Sequence, residues 1–179
     1  MDCSEGCPTA AVMFGVPGVR VLAAKRDDNG LSVTVETDPQ VEGCSRCGVL
    51  AVLHDRCEHL LHDAPFGHRR VRVRWRKRVW RCGEPACPTG TWSERHDLAA
   101  PRALLTRRAV LWVADALSDD DTTVNALGRR LGVDWHTLWD ALKVEAGHRA
   151  DDPHRLACVT ALGVDEHVWR RAGSAPAGR

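Results

Sequence analysis

Three things the chain lacks narrow its class before any motif is read. No apolar run approaches the roughly 20 residues that a membrane-crossing helix requires, so no membrane partner is expected. The opening stretch, Met1 to Gly18, starts acidic and has no basic segment ahead of an apolar one, so it does not read as an export signal. The expected compartment is therefore the cytoplasm. There, eight cysteines are better read as metal ligands than as disulfides. There is also almost no net charge, +1 over 179 residues, so the total offers no hint of a polyanionic partner. Its distribution does: between His54 and Arg81 nine bases stand against three acids, while acids gather at Asp119-Asp120-Asp121 and Asp151-Asp152. A partner meets a face and not a total.

What is present is a soluble composition, 44% hydrophobic and 27% charged, arranged as an α+β, multi-domain chain. Residues 1–18 read as a flexible arm. Val19–Ala24 and Leu31–Thr37 are β-prone runs on either side of Lys25-Arg26-Asp27-Asp28-Asn29-Gly30, where Asn-Gly suits a tight hairpin turn. A short apolar run, Val49–Leu53, and a polar loop around Pro65 and Gly67 lead to the longest strand candidate, Arg69–Arg81. Beyond Thr89-Gly90 the pattern turns helical, with Leu104, Ala109, Trp112, Val113, Ala116 and Leu117 at helical spacing. Two shorter helices are expected between Thr122 and Glu145, then a linker at Asp151-Asp152-Pro153, a strand over Leu156–Val164 and a small-residue tail. The expected units are 1–18, a β-hairpin plus zinc ribbon over 19–98, a three-helix unit over 99–150, and 151–179.

Cys44 and Cys47 form a C-x2-C pair, and Cys82 and Cys87 a C-x4-C pair, each beside a glycine. Two such turns bring four thiolates around one tetrahedral zinc ion, leaving no open position, so the ion is structural. A redox role fits poorly: the first pair lacks a βαβ context and the second has the wrong spacing. Cys3, Cys7, Cys57 and Cys158 remain without a role. Scattered histidines such as His54, His59 and His62 do not by themselves make a second site with Cys3 and Cys7.

In the strand candidate, strict alternation puts Val71, Val73, Trp75 and Val79 on one face and Arg70, Arg72, Arg74, Arg76 and Arg78 on the other. Guanidinium groups about 6.6 Å apart match a phosphate backbone, so these arginines and Lys77 are candidate DNA contacts. Such contacts carry no sequence information. That role falls to the helix-turn-helix candidate, Thr122 to Leu142. Asp121 or Thr122 would cap its first helix and Gly132 its turn, Gly128 would permit close approach, and Asp134 would cap the second helix. Trp135, His136, Thr137, Trp139 and Lys143 then belong to the groove-facing helix, flanked by Arg129 and Arg130. Asp134 and Asp140 are unfavourable there, since acids repel the backbone.

The order of these parts, a hairpin, C-x2-C-G, a basic strand, R-C-x4-C-P, a helix-turn-helix and LGVDEHVW, resembles the ISL-three insertion-sequence transposases. The likeness runs from about Gly18 to Trp169, most clearly over Trp75–Pro88, Gly132–Thr137 and Leu162–Trp169. The resemblance implies a zinc ribbon and helix-turn-helix that bind the terminal inverted repeats in double-stranded DNA. It also implies an RNase H-like DDE domain that cuts and joins DNA with divalent metal. Asp165 matches the first catalytic aspartate of that domain. The later acids have no counterpart before Arg179, so the reading is a truncated transposase with one orphan catalytic strand, no strand-cleavage activity and no need for Mg. It would act alone, as a homo-oligomer or with full-length transposase. Two alternatives stand: an active enzyme completed by downstream sequence, and an unrelated zinc-ribbon/helix-turn-helix transcriptional regulator.

Overall fold

The computed structural model describes residues 8–161 and 163. It is an α+β structure: a mixed five-stranded sheet, and four helices among the described residues. Helix α1 (Pro8–Phe14) precedes β1 (Val19–Asp27), β2 (Gly30–Thr37), β3 (Ala51–Phe66), β4 (Arg69–Cys82) and β5 (Thr91–Ser93). Helices α2 (Arg107–Asp119), α3 (Val124–Leu131) and α4 (Trp135–Ala150) follow. The strands lie in the order β1-β2-β4-β3, with β5 on the far end of β4. β1–β2 and β3–β4 are antiparallel hairpins, and β2 runs parallel to β4.

This pairing joins what the sequence suggested as two pieces. Leu31, Val33 and Val35 on β2 stand beside Val71, Val73 and Trp75 on β4, and across from these lie Asp63, Leu61 and His59 on β3. The shared apolar rows make one core with Val19, Val21, Leu98 and Ala99, and Val35, Val73 and Trp75 are wholly buried. Phe14 of α1 is part of that core, so residues 8–14 are a docked helix and not a loose arm. Val12 and Met13 stay on its outer side.

Two further expectations change. The turn between β1 and β2 is tighter than predicted, with Asp27 paired to Gly30. The positive φ falls on Gly30 alone (136°) and not on Asn29. Gly30 is also irreplaceable on contact grounds, since a Cβ there would meet the Arg70 carbonyl oxygen at 2.3 Å. The polar stretch around Pro65 belongs to β3, whose 16 residues pair along β4 with bulges at Leu53/Asp55 and Asp63/Phe66. Residues 52–58 are exposed throughout, so no alternation betrays the strand.

The three C-terminal helices have their own core, in which Ala109, Val113, Leu127, Leu131, Leu138 and Leu142 are buried. Helix α2 begins at Arg107, capped by Thr106, whose hydroxyl accepts from the Ala109 N–H. Leu104, expected on its apolar stripe, lies ahead of it and is exposed. Thr123, not Asp121 or Thr122, caps α3. Gly132 (φ 79°) ends α3 in the left-handed region, and the Asp134 carboxylate caps α4 by accepting from the Thr137 N–H. Gly128 permits a close approach: a Cβ would lie 3.1 Å from the Val133 carbonyl oxygen, a tight contact. Helix α4 runs to Ala150, five residues past the expected end. After it, residues 153–158 form turns, so the strand expected over 156–164 does not form among the described residues. Asp165, Leu162 and most of the LGVDEHVW motif lie outside them.

The helices are fixed to the sheet by a buried carboxylate. Asp63, on the core face of β3, accepts from the Thr106 hydroxyl (2.6 Å) and from Arg108 Nε (2.8 Å), and Arg108 Nη2 also bonds its second oxygen. Arg108 further donates to the Phe14 carbonyl and lies over its ring, so one guanidinium links α1, β3 and α2. Replacing Asp63 with Ala strands Thr106 and Arg108 at the joint. The expected cost is about 3 kcal/mol, measured as a shift in the urea midpoint with an unchanged slope.

Candidate metal centre and basic sheet face

The four cysteines of the two pairs converge. Cys44 Sγ lies 3.9 Å from Cys87 Sγ and Cys47 Sγ 3.4 Å from Cys82 Sγ, and all four sulfurs fall within 4.8 Å of one another. A tetrahedral ion with Zn–S bonds of about 2.3 Å requires S···S edges of about 3.8 Å. The cluster can therefore hold a metal ion, and its dimensions and all-sulfur donor set fit zinc.

Local backbone geometry explains the convergence. The first pair sits in a hairpin knuckle, where the Cys44 N–H donates to the Val49 carbonyl, the Gly48 N–H donates back to the Cys44 carbonyl, and Gly48 takes φ 75°. The second begins on the last residue of β4. The Glu84 N–H donates to Cys82 Sγ (3.4 Å) and the Cys87 N–H to the Glu84 carbonyl. Gly83 lets the two knuckles touch, because a Cβ there would lie 2.6 Å from the Leu50 carbonyl oxygen.

The thiols are poised unequally. Cys44 is lowered to about 6, chiefly by the backbone N–H groups of Cys47 and Arg46. Cys87 is also lowered, first by the Thr89 hydroxyl and then by the Thr89 N–H. Thr89 is a supporting residue that cysteine spacing alone does not reveal. At Cys82 the Glu84 N–H acts to lower the thiol, but burial and the three neighbouring sulfurs outweigh it and push it up to about 12. Cys47 is raised as well: the Val49 N–H pulls down, and burial with the Cys44 and Cys87 sulfurs prevails. Four thiolates crowd one another unless a cation stands between them.

The open face of the sheet carries the arginines. Ser32, Arg72 and His62 form one cross-strand row and Thr34, Arg74 and Leu60 the next, followed by Arg76 beside Glu58. Arg70, Arg72 and Arg74 are exposed and Arg76 half-buried. Arg74 is held by Glu58 (2.8 Å). The alternation does not continue outward. At Arg78 the same side is closed over by Glu36, Thr37 and Glu94, and Arg78 is buried. Its guanidinium donates to the Thr37 hydroxyl (2.7 Å), the Thr37 carbonyl (2.9 Å) and Glu94 (3.1 Å). Arg78 is thus an internal tie and not a surface contact, which corrects the sequence expectation. Lys77 projects from the opposite side, 4.4 Å from the Trp75 ring centre, and so stands apart from the arginine row.

One seam joins this face to the helices. Arg70 donates from Nη2 to the Arg129 carbonyl (2.8 Å), and His62 Nδ1 bonds the Leu131 carbonyl (3.0 Å). A carbonyl only accepts, so His62 carries its proton on Nδ1. Both bonds satisfy carbonyls at the end of α3 that lack helical partners. Gly132 permits the approach, since a Cβ there would meet the Arg70 side chain at 3.2 Å. On α4, Trp135 and Trp139 are stacked with ring centres 5.6 Å apart and about two-fifths exposed, with exposed His136 beside them. Arg129 and Arg130 are exposed, and Arg130 lies over the Trp112 ring at 5.6 Å. The two acids nearest the start of this helix, the cap Asp134 and Asp140, are occupied. Asp134 accepts from the Thr137 hydroxyl and N–H, which hold its carboxyl below the ordinary range, and Asp140 pairs with Lys143 (2.7 Å).

Comparisons with protein-family models, curated proteins and solved structures found no match for this chain.

Metal analysis of the purified protein should return about one zinc per chain, because four thiolates saturate one tetrahedral site. Cys82→Ser should lose that stoichiometric ion. Apparent zinc affinity should fall as pH is lowered, since each thiol must give up its proton to bind; titrations with a competing chelator read both effects.

Proposed function

We propose that this chain is a zinc-dependent DNA-binding module that recognises the terminal inverted repeats of an ISL-three-type transposon. The observation that carries the reading is the seam of Arg70 and His62 on the last carbonyls of α3. It holds a capped helix–left-handed glycine–capped helix unit at a fixed position beside an open row of arginines. In this reading α3 and α4 are a helix-turn-helix, with α4 the groove-reading helix. Trp135, His136 and Trp139 on its exposed side meet base edges, while Arg129 and Arg130 meet phosphates. Arg72, Arg74 and Arg76 grip the adjacent backbone through counterion release. Asp134 and Asp140 do not oppose this, because each is already bonded within the helix.

The cysteine quartet, as a zinc site, supplies no chemistry to the partner; when bound, the ion cross-links the two knuckles. Cys82 ends the strand that carries the arginines, so the ribbon's stiffness and the face's geometry are one property. The motif order that resembles ISL-three transposases supports the choice of transposon ends over an unrelated regulator's operator. The proposed role is binding and not strand cleavage.

Gel shifts on the inverted repeats flanking the gene test the reading. Binding to these ends should exceed binding to random duplex of equal length. Equal binding removes the transposon assignment and leaves a general or regulatory DNA binder. Arg72, Arg74 and Arg76 changed together to Ala should weaken binding to every sequence and flatten the salt dependence by about 0.9 per lost phosphate contact. Arg78→Ala should act differently, destabilising the fold by roughly 3–5 kcal/mol because it leaves buried carboxylates uncompensated, with the salt slope of the folded fraction unchanged.

A further inference from the structure

The outer edge of β3 is a long, unpaired strand edge, and its charge order selects a partner. It is covered only at its ends: at one the Ala51 N–H donates to the Glu42 carbonyl, and at the other the His62 N–H donates to the Leu104 carbonyl and the Thr106 N–H to the His62 carbonyl. From Asp55 to Asp63 the pairing with β4 runs without a bulge. The backbone groups of Leu60, Glu58 and Arg56 therefore point outward in step with those of His62; the Arg56 N–H is bonded to the Asp55 carboxylate (2.7 Å), which an added strand would have to displace. Residues 52–58 are all exposed, and Leu60 is 60% exposed. An edge of this kind is a template for strand addition unless its side chains forbid it.

We propose that this edge pairs antiparallel with the same edge of a second copy of the chain, on a two-fold axis at Cys57. Self-pairings centred on Arg56, Cys57 and Glu58 keep the outward backbone groups opposite one another near the middle of the uncovered stretch. Centred on Arg56, the two arginines face each other. Centred on Glu58, the two glutamates do. Centred on Cys57, Arg56 faces Glu58 twice. Directly opposite charges favour a cross-strand pair and like charges oppose it, so the same side chains accept one register and reject its neighbours. Both ionic partners retain capacity: among the described residues Arg56 bonds Glu36 through Nε, and Glu58 bonds Arg74 through Oε2. The pairing ends before His62, where the segment from Ala103 to Thr106 occupies the edge. An isologous contact of this kind closes at two copies. It extends the sheet without using α4 and touches the arginine row only where Glu58 holds Arg74, and its readouts do not depend on the DNA reading.

Cys57 makes the register measurable. Its backbone groups face β4, so at the axis the two copies form a non-hydrogen-bonded pair with Cα atoms about 4.5 Å apart, within disulfide range. In zinc-loaded protein carrying Cys3→Ser, Cys7→Ser and Cys158→Ser, diamide should oxidise the two Cys57 thiols to an intermolecular disulfide, visible on a non-reducing gel and absent in Cys57→Ser. Sedimentation equilibrium up to about 100 µM should show a monomer–dimer equilibrium. Glu58→Lys should weaken it by roughly tenfold or more, and Glu58→Gln by less, with zinc content and circular dichroism unchanged. A monomer at every concentration overturns the proposal. So does a dimer that Cys57 does not bridge and Glu58→Lys does not weaken.

Discussion

Backbone pairing along β4 is the constraint on which the other parts depend. That one strand is bonded to β3 along one side, and to β2 and then β5 along the other. Its odd residues Val71, Val73 and Trp75 build the core, and its even residues Arg72 and Arg74 build the open face. Its first turn of side chains reaches α3 through Arg70, and its last residue, Cys82, is a corner of the sulfur cluster. Metal centre, basic face and helical unit are held at set distances because they hang from one rigid ladder. Displacing β4 in register by one residue would exchange its two faces, burying arginine and exposing tryptophan. The core therefore fixes where the arginines point.

The chain's charges divide between tying the fold and facing outward, and burial decides which. Arg70, Arg78 and Arg108 are spent internally, on a helix end, on the Glu36/Glu94 cluster and on Asp63. Arg72 and Arg76 remain toward solvent, and Arg74 lies between the two groups with Glu58 beside it. The near-zero net charge is thus compatible with a basic face, because acids such as Glu36, Glu94 and Asp63 are paired inside the fold and others gather away from that face, as at Asp119-Asp120-Asp121.

Some of this was legible in the sequence because it follows local rules. Cysteine spacing with adjacent glycine identified the quartet, period-two alternation identified β4, and Gly132 and Asp134 announced a helix end and a helix start. The rest depends on contacts between distant residues. Most of β3 goes unannounced because neither face of residues 52–58 is covered, and an uncovered strand shows no alternation; only its last residues, around Pro65, read as a loop. The parallel pairing of β2 with β4 leaves no local trace, so a single sheet looked like a hairpin beside a ribbon. Arg78 continued the arginine period faithfully, yet the period says nothing about where Glu36 and Glu94 close over the strand. Helix α1 was missed because glycine and proline around it resemble a loop, while the burial of Phe14 against the sheet decides the matter. Thr89 escaped because a residue that supports a thiolate needs no particular spacing from it.

The β3–β4 hairpin is clamped at its two ends by unlike means. Sulfur holds the open end, and the Asp63–Thr106–Arg108 joint holds the end near the turn. Between Cys44 and Cys87 an ion would close a loop containing nearly the whole hairpin, removing much of the freedom that this segment has when unfolded. Metal loss would then leave the turn end latched while the knuckles fray. Loss of an ion from the sulfur cluster would thus open the molecule from one side, with the helices and the turn end of the sheet still latched together.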